Sequence, residues 1–168
     1  MNVTDFLLEC GRDEHVALVA GSQEVTYREL MRMAAGLARQ IQDAGARPGD
    51  AVGLLAGNSP FWAAAYLAIM KLGCVAVPFN HASLPAELGA LAAFTGCRAI
   101  CLQRRQMRKF AEGLPPDAPL ILDDAQAPSD RDWELWQGLP DVASEEQDAA
   151  LMLTSGTTAS PRAVRVTH

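Results

Sequence analysis

The segment from Thr154 to Arg162 concentrates residue types that can bind an anion. It reads Thr-Ser-Gly-Thr-Thr-Ala-Ser-Pro-Arg, so short hydroxyl side chains and a glycine are followed by a cation. Hydroxyls and backbone N–H groups can converge on phosphate oxygens, and a glycine lets the main chain approach closely. A guanidinium adds charge-assisted hydrogen bonds, each worth about 1.5–3 kcal/mol. A Ser/Thr-rich surface turn explains the same composition equally well.

The elements that must position this segment follow a regular order. An apolar strand is predicted at 149–153, directly before it. Further strands are predicted at 51–56, 74–79, 98–102 and 119–122, and helices at 27–44, 60–72, 83–95 and 103–112. A short helix at 5–10 and a hairpin of strands 16–20 and 24–26 precede them. Alternating strands and helices indicate a parallel sheet covered by helices. The sequence therefore predicts an α/β fold, doubly wound, with a mostly parallel sheet, helices on both faces and a small N-terminal β-hairpin.

Three helix starts carry recognisable capping signals. Thr26 and Glu29 stand in the capping-box relation, and Ser59 precedes a proline at the first helical position. Ser83 is the predicted cap of the helix that ends near Thr95.

Charge and hydropathy exclude several classes of protein. With 14 Lys and Arg against 20 Asp and Glu, the net charge is -6, which argues against a nucleic-acid partner. The apolar run Phe61–Met70 is about half the length of a membrane span, so no transmembrane segment is predicted. Acidic residues Asp5 and Glu9 stand where an export signal would be basic. We therefore expect a cytoplasmic protein.

The cysteines and two of the histidines do not suggest a metal or catalytic site. Cys10, Cys74, Cys97 and Cys101 lie singly in apolar surroundings, which predicts buried, reduced thiols. His15 and His81 have no partner at metal-ligand or triad spacing, so surface or packing roles are expected.

Two charged stretches remain. Segment 123–148 is acidic and is predicted to be a long surface connection that Trp133 and Trp136 anchor to the body. The helix predicted at 103–112 carries four cations, Arg104, Arg105, Arg108 and Lys109. They indicate a solvated helix face, and contact with a phosphate tail is the alternative.

The order of residues in 154–164 resembles the phosphate-binding signature T-S-G-T-T-G-x-P-K-G-V of the adenylate-forming enzymes, which include acyl-CoA synthetases, nonribosomal-peptide adenylation domains and luciferases. The matching residues are Thr154, Ser155, Gly156, Thr157, Thr158, Pro161 and Val164. Thr167-His168 and three upstream blocks, Val25–Leu30, Gly49–Pro60 and Ala64–Asn80, are also similar to family segments. Residues 1–168 are thus identified as the N-terminal α/β subdomain of a larger AMP-binding domain.

This resemblance implies a two-step ligase. A carboxylate would attack the α-phosphorus of ATP, releasing pyrophosphate and leaving an acyl-adenylate. The thiol of coenzyme A, or of the phosphopantetheine of an acyl or peptidyl carrier protein, would then take the acyl group and release AMP. The implied ATP phosphate contacts are Thr154, Ser155, Gly156, Thr157, Thr158 and Arg162. The Mg²⁺ ligands, the adenine segment and the catalytic lysine of the family would lie beyond His168, so the chain alone is expected to be inactive. An apolar face left exposed by truncation could support a dimer.

Three residues depart from the family signature, which has Gly, Lys and Gly where this chain has Ala159, Arg162 and Ala163. Arginine is not interchangeable with lysine, and alanine is costly wherever a positive φ is required. These departures motivate a second hypothesis, a noncatalytic relative that serves as a scaffold or interaction module. A free-standing flavodoxin-like nucleotide-binding protein is a third.

Overall fold

The computed structural model of the chain describes residues 2–9, 11, 13–124, 129–139, 147–154 and 162–168. The helices are α1 (Val3–Glu9), α2 (Tyr27–Asp43), α3 (Pro60–Lys71), α4 (Pro85–Thr95), α5 (Arg104–Phe110) and α6 (Asp130–Gly138). The strands are β1 (Val16–Ala20), β2 (Gln23–Thr26), β3 (Ala51–Leu55), β4 (Val75–Pro78), β5 (Ala99–Leu102), β6 (Leu120–Leu122), β7 (Asp148–Thr154) and β8 (Arg162–Thr167).

Six strands form one sheet in the order β6-β5-β3-β4-β7-β8. The first five run parallel, and β8 returns antiparallel beside β7. Strands β1 and β2 form a separate antiparallel hairpin. The predicted fold class is confirmed, while the return strand β8 was not predicted.

Side chains alternate between the two faces of the sheet, as the pleat requires. Val52 and Leu54 of β3 pack with α2 and α3, whereas Leu55 packs on the opposite face with α4 and α5. In β5, Cys101 packs on the same face as Val52 and Leu54, and Ile100 packs on the same face as Leu55. The central strands are buried on both faces, which is why their sequences are continuously apolar rather than alternating.

Two of the three predicted helix caps are present. Glu29 N donates to Thr26 Oγ1 at 3.2 Å while Thr26 N donates to the Glu29 carboxylate at 2.8 Å. Trp62 N donates to Ser59 Oγ at 3.2 Å. The predicted Ser83 cap is wrong: Leu84 is the N-cap residue of α4, because Pro85 takes the first helical position. The Leu84 N–H is satisfied instead by the carboxylate of Glu87, at 3.0 Å.

Helix α6 lies within segment 123–148, where the sequence suggested only a surface connection. Trp136 is buried against the core and Trp133 packs on its edge, as expected of the two anchoring residues. Arg39 Nε of α2 donates to Asp132 Oδ1 at 2.5 Å. Burial raises the pKa of Asp132, but hydrogen bonds from Ser129 and Arg39 outweigh it and hold the pKa below its ordinary value. Residues 125–128 and 140–146 lie outside the described part of the chain.

The N-terminal helix is fixed to α3 by polar contacts. Thr4 Oγ1 donates to the carbonyl of Leu67 at 3.1 Å, and Asn2 Nδ2 to that of Met70 at 2.8 Å. Lys71 Nζ, at the end of α3, contacts both carboxylate oxygens of Asp5 at 2.7 and 2.8 Å. The same ammonium lies 5.8 Å from the ring centroid of Trp136. Lys71 therefore connects α1, α3 and α6.

Candidate functional site

Strand β7 brings the candidate anion-binding segment to the carboxyl edge of the sheet. Ala150 of β7 is in register with Ala76 of the parallel strand β4. Ala149 and Ala150 are buried, so the strand is anchored in the core at its beginning. Thr154 is its last residue. Ligands of open α/β sheets bind outside the carboxyl ends of the strands, and the candidate segment begins at the carboxyl end of β7.

Strand β8 brings Arg162 back to the end of β7. The register pairs Thr154 with Arg162, Leu153 with Ala163 and Met152 with Val164. Residues directly opposite in antiparallel strands have Cβ atoms about 4.5–5.5 Å apart. The first threonine of the signature and its cation are therefore neighbours, although eight positions separate them in the sequence. This proximity could not be predicted without β8, because the sequence suggested a loop through position 164.

The remaining predicted phosphate contacts fall on the connection between the two strands. Ser155, Gly156, Thr157 and Thr158 lie outside the described residues, as does Ala159. Arg162 is exposed at the start of β8. Arg165, on the same strand, is an ion-pair partner of Asp148, with 2.9 Å between Nε and Oδ1. The two arginines of β8 thus have different positions: Arg162 lies at the end of the β7–β8 ladder opposite Thr154, and Arg165 lies within the ladder opposite Leu151.

Alanine at position 163 causes no backbone strain in this fold. Ala163 lies inside β8, and no described residue other than glycine has a positive φ. The backbone conformation at position 163 therefore does not require the glycine of the family signature. This finding removes one of the three departures that favoured a degenerate loop.

The described cysteines and histidines do not form a metal site. Within the described ranges, no group of three or more His, Cys, Asp and Glu residues is placed to hold a metal ion. Burial raises the pKa of both Cys74 and Cys101 to about 12, with the Asp50 charge adding to the effect at Cys74. His15 and His81 are exposed, and Cys10 lies outside the described part.

No helix among the described residues is long and apolar enough to cross a membrane.

Gln103 is a buried polar side chain that the sequence offered little reason to expect at a site. Gln103, directly after β5, is 6% exposed and bonds to the segment that follows β3. The only sequence signal was its position after an apolar strand.

The chain is similar to known proteins over most of its length. The family model described as AMP-binding enzyme matches residues 10–168. Malpibaldin synthetase of Mortierella alpina is 33% identical over 94% of this chain and 3% of its own length. A medium/long-chain-fatty-acid–CoA/3-oxocholest-4-en-26-oate–CoA ligase of Mycolicibacterium smegmatis is 30% identical over 92% of this chain and 31% of its own. The chain thus spans a third or less of these relatives.

Solved structures show the same architecture. A benzoate CoA ligase from Burkholderia xenovorans LB400 superposes with a TM-score of 0.81 at 19% identity, over 99% of this chain and 34% of that one. At this identity the likeness shows the fold alone. The family match over nearly the whole sequence is what shows that the chain belongs to the AMP-binding enzyme family.

Proposed function

We propose that the chain supplies the N-terminal α/β unit and the phosphate-binding strand pair of an ATP-dependent carboxylate–thiol ligase. The observation that carries this proposal is the pairing of Thr154 with Arg162 at the carboxyl edge of the sheet. Thr154 precedes and Arg162 follows a connection rich in Ser, Thr and Gly, and the pairing brings this hydroxyl residue and this cation next to each other. The family is adenylate-forming and uses ATP, which the donor chemistry of this segment fits.

The proposed role of these residues is electrostatic. Departing pyrophosphate carries negative charge that fixed donors stabilise without reorganisation. The hydroxyls of Thr154, Ser155, Thr157 and Thr158 would donate to phosphate oxygens, and Gly156 would allow close approach of the main chain. Arg162 would neutralise charge at the base of the same connection. A bound Mg²⁺ would share the phosphate charge, and coenzyme A or a carrier phosphopantetheine would accept the acyl group.

Two arginines of one strand provide a matched test of phosphate binding. We expect Arg162→Gln to weaken binding of ATP or inorganic pyrophosphate at least tenfold, because a charge-assisted contact is lost. Arg165→Gln removes the same charge three residues further along β8, opposite Leu151, where Asp148 pairs with it, and should change the affinity less than twofold. Isothermal titration at physiological ionic strength measures both. Equal effects of the two substitutions, or no binding by the unsubstituted chain, would contradict the proposal.

Adenylation itself is tested by carboxylate-dependent exchange of pyrophosphate into ATP, using the longest reading frame that contains this chain. A panel of aliphatic and aromatic acids is required, since the acid is unidentified. Exchange with one acid class supports the ligase and names the substrate class. A folded sample that exchanges with none of them would argue against catalysis.

The alternative, a noncatalytic scaffold, now depends on Ala159 and Arg162 alone. Restoring the family residues with Ala159→Gly and Arg162→Lys separates the two functions. A working phosphate site should change its ATP affinity measurably, whereas a scaffold should show no ATP binding before or after the substitutions.

A further inference from the structure

A crevice of about 660 Å³ opens at the carboxyl ends of the adjacent strands β3 and β5. The connection after β3 leaves through α3 on one face of the sheet, and the connection after β5 leaves through α5 on the other. Neighbouring strands whose connections depart to opposite faces leave a gap, and open α/β sheets bind ligands in such gaps. The β1–β2 hairpin and Trp62 form the outer walls.

Arg105 is held over the floor of this crevice. Its Nε donates to Gln103 Oε1 at 3.1 Å, and the same oxygen accepts the N–H of Gly57 at 2.9 Å. The Gln103 amide nitrogen donates in turn to Ser59 Oγ at 3.2 Å. A Cβ on Gly57 would lie 2.8 Å from Arg105 Nη2, so the guanidinium covers this glycine directly. The buried glutamine thus orients the guanidinium through one nitrogen and leaves the two terminal nitrogens for other partners.

No described carboxylate compensates the charge of Arg105 in this crevice. Arg105 is its only charged lining residue among those described, and no described carboxylate forms an ion pair with it. Its neighbour Arg104, by contrast, is paired with Asp124. Two other surface cavities of the described chain contain carboxylates, at Asp132 and at Asp5. A positive site with no internal counterion is suited to an anion.

The crevice also offers an aromatic surface. Trp62 is half-buried and stacks on Tyr66 with ring centroids 5.0 Å apart and planes inclined by 9°. This stacking fixes the indole ring at the mouth of the crevice, next to apolar residues of β1 such as Leu18. A ligand with an apolar body can therefore contact the wall while its anionic group reaches Arg105.

We propose that the crevice between β3 and β5 binds a small organic oxyanion, a carboxylate or a phosphate monoester, through Arg105 and Trp62. Strand β4 separates β3 from β7, so a crevice between β3 and β5 lies two and a half strand spacings, about 12 Å, along the sheet from the end of β7. The inference does not depend on the function proposed for the β7–β8 connection.

The test is a titration of the isotope-labelled 168-residue chain with benzoate and with phenyl phosphate, followed by NMR. The reporters are the Gly57 amide and the Trp62 indole N–H. Saturable shifts of both reporters with benzoate identify a carboxylate ligand, and with phenyl phosphate a phosphate monoester. Benzyl alcohol, which has the ring without the charge, should cause no saturable shift. Absence of saturation with either anion up to about 50 mM overturns the proposal.

Two substitutions and one control establish the role of Arg105. Arg105→Gln should weaken binding at least tenfold, because it removes the charged donor. Gly57→Ala keeps the charge but displaces the guanidinium, and should weaken binding by a smaller factor. Arg108→Gln removes an exposed cation of the same helix outside the crevice and should leave the affinity within twofold. Equal losses with Arg108→Gln and Arg105→Gln would indicate general charge attraction and refute the site.

Discussion

Breaking the ion pair between Lys71 and Asp5 should destabilise the chain more than breaking an exposed pair. The Lys71 side chain is 9% exposed and that of Asp5 24%. At 2.7 Å and an effective dielectric of about 20, the gross attraction is about 6 kcal/mol, most of which desolvation offsets. Removing one partner of a fully buried pair costs about 3–5 kcal/mol, because the other charge is left buried. Since Asp5 keeps a quarter of its exposure, we expect Asp5→Asn to cost about 2–3 kcal/mol.

Urea unfolding followed by tryptophan fluorescence measures this cost, because Trp136 lies beside Lys71. The double variant Asp5→Asn with Lys71→Met should recover most of the loss and lie within about 1 kcal/mol of the unsubstituted chain. Methionine keeps the apolar length of lysine and leaves no charge to desolvate.

The matched control is the exposed pair of Arg32 and Asp130, whose side chains are 49% and 92% exposed. Arg32→Gln should change the free energy of unfolding by no more than about 1 kcal/mol. If Asp5→Asn costs no more than Arg32→Gln, or if the double variant is as unstable as the sum of its single substitutions, the reasoning from burial is refuted.

Three further predictions concern the pH dependence, the packing and the thiols of the chain. The pKa of Asp132 in the folded chain lies below its ordinary value of 3.8, so the ionised carboxylate stabilises the fold above pH 3.8 and this stabilisation is lost as the pH falls through the folded pKa. From about pH 4 downwards, the unsubstituted chain should therefore lose stability more steeply than Asp132→Asn, as acid unfolding curves would show. Gly53→Ala places a Cβ 2.6 Å from the Phe79 ring, so we expect urea unfolding to show a loss of about 1–3 kcal/mol, partly restored by Phe79→Leu. Cys74 and Cys101 should resist iodoacetamide at pH 8 in the folded chain and react in urea, as peptide mass mapping would show; labelling of the folded chain at both would contradict their burial.

The sequence predicted most of the regular elements because local signals and burial agree. The strands that lie in the middle of the sheet are continuously apolar, and Thr26 with Glu29 and Ser59 with Pro60 mark helix starts correctly. At Ser83 the local signal was misleading, since Pro85 competes for the same helix start and determines where it begins. Helix α6 was missed because its acidic residues and short length are also typical of a surface connection.

The contacts between distant residues were not predictable. Lys71 interrupts an apolar run and Asp5 lies near the N-terminus, and nothing in either pattern indicates that they meet. The same holds for Gln103 and Gly57, which face each other only because β3 and β5 are adjacent in the sheet. Thr154 and Arg162 meet only because the chain turns back into β8, and the exposed residues of β8 give a weak strand signal.

The strand order also determines when in folding the strand pair β7–β8 can be completed. Strands β3 to β6 are joined by short crossovers, whereas β7 pairs with β4 across a separation of 74 residues, from Ala76 to Ala150. The connection from β6 to β7 must pass four strand spacings, about 19 Å. Contacts of long sequence separation form slowly, since loop-closure entropy must be overcome first. We therefore expect the β7–β8 hairpin to dock last, so that a nascent chain completes the proposed phosphate-binding strand pair only after the rest of the sheet has formed.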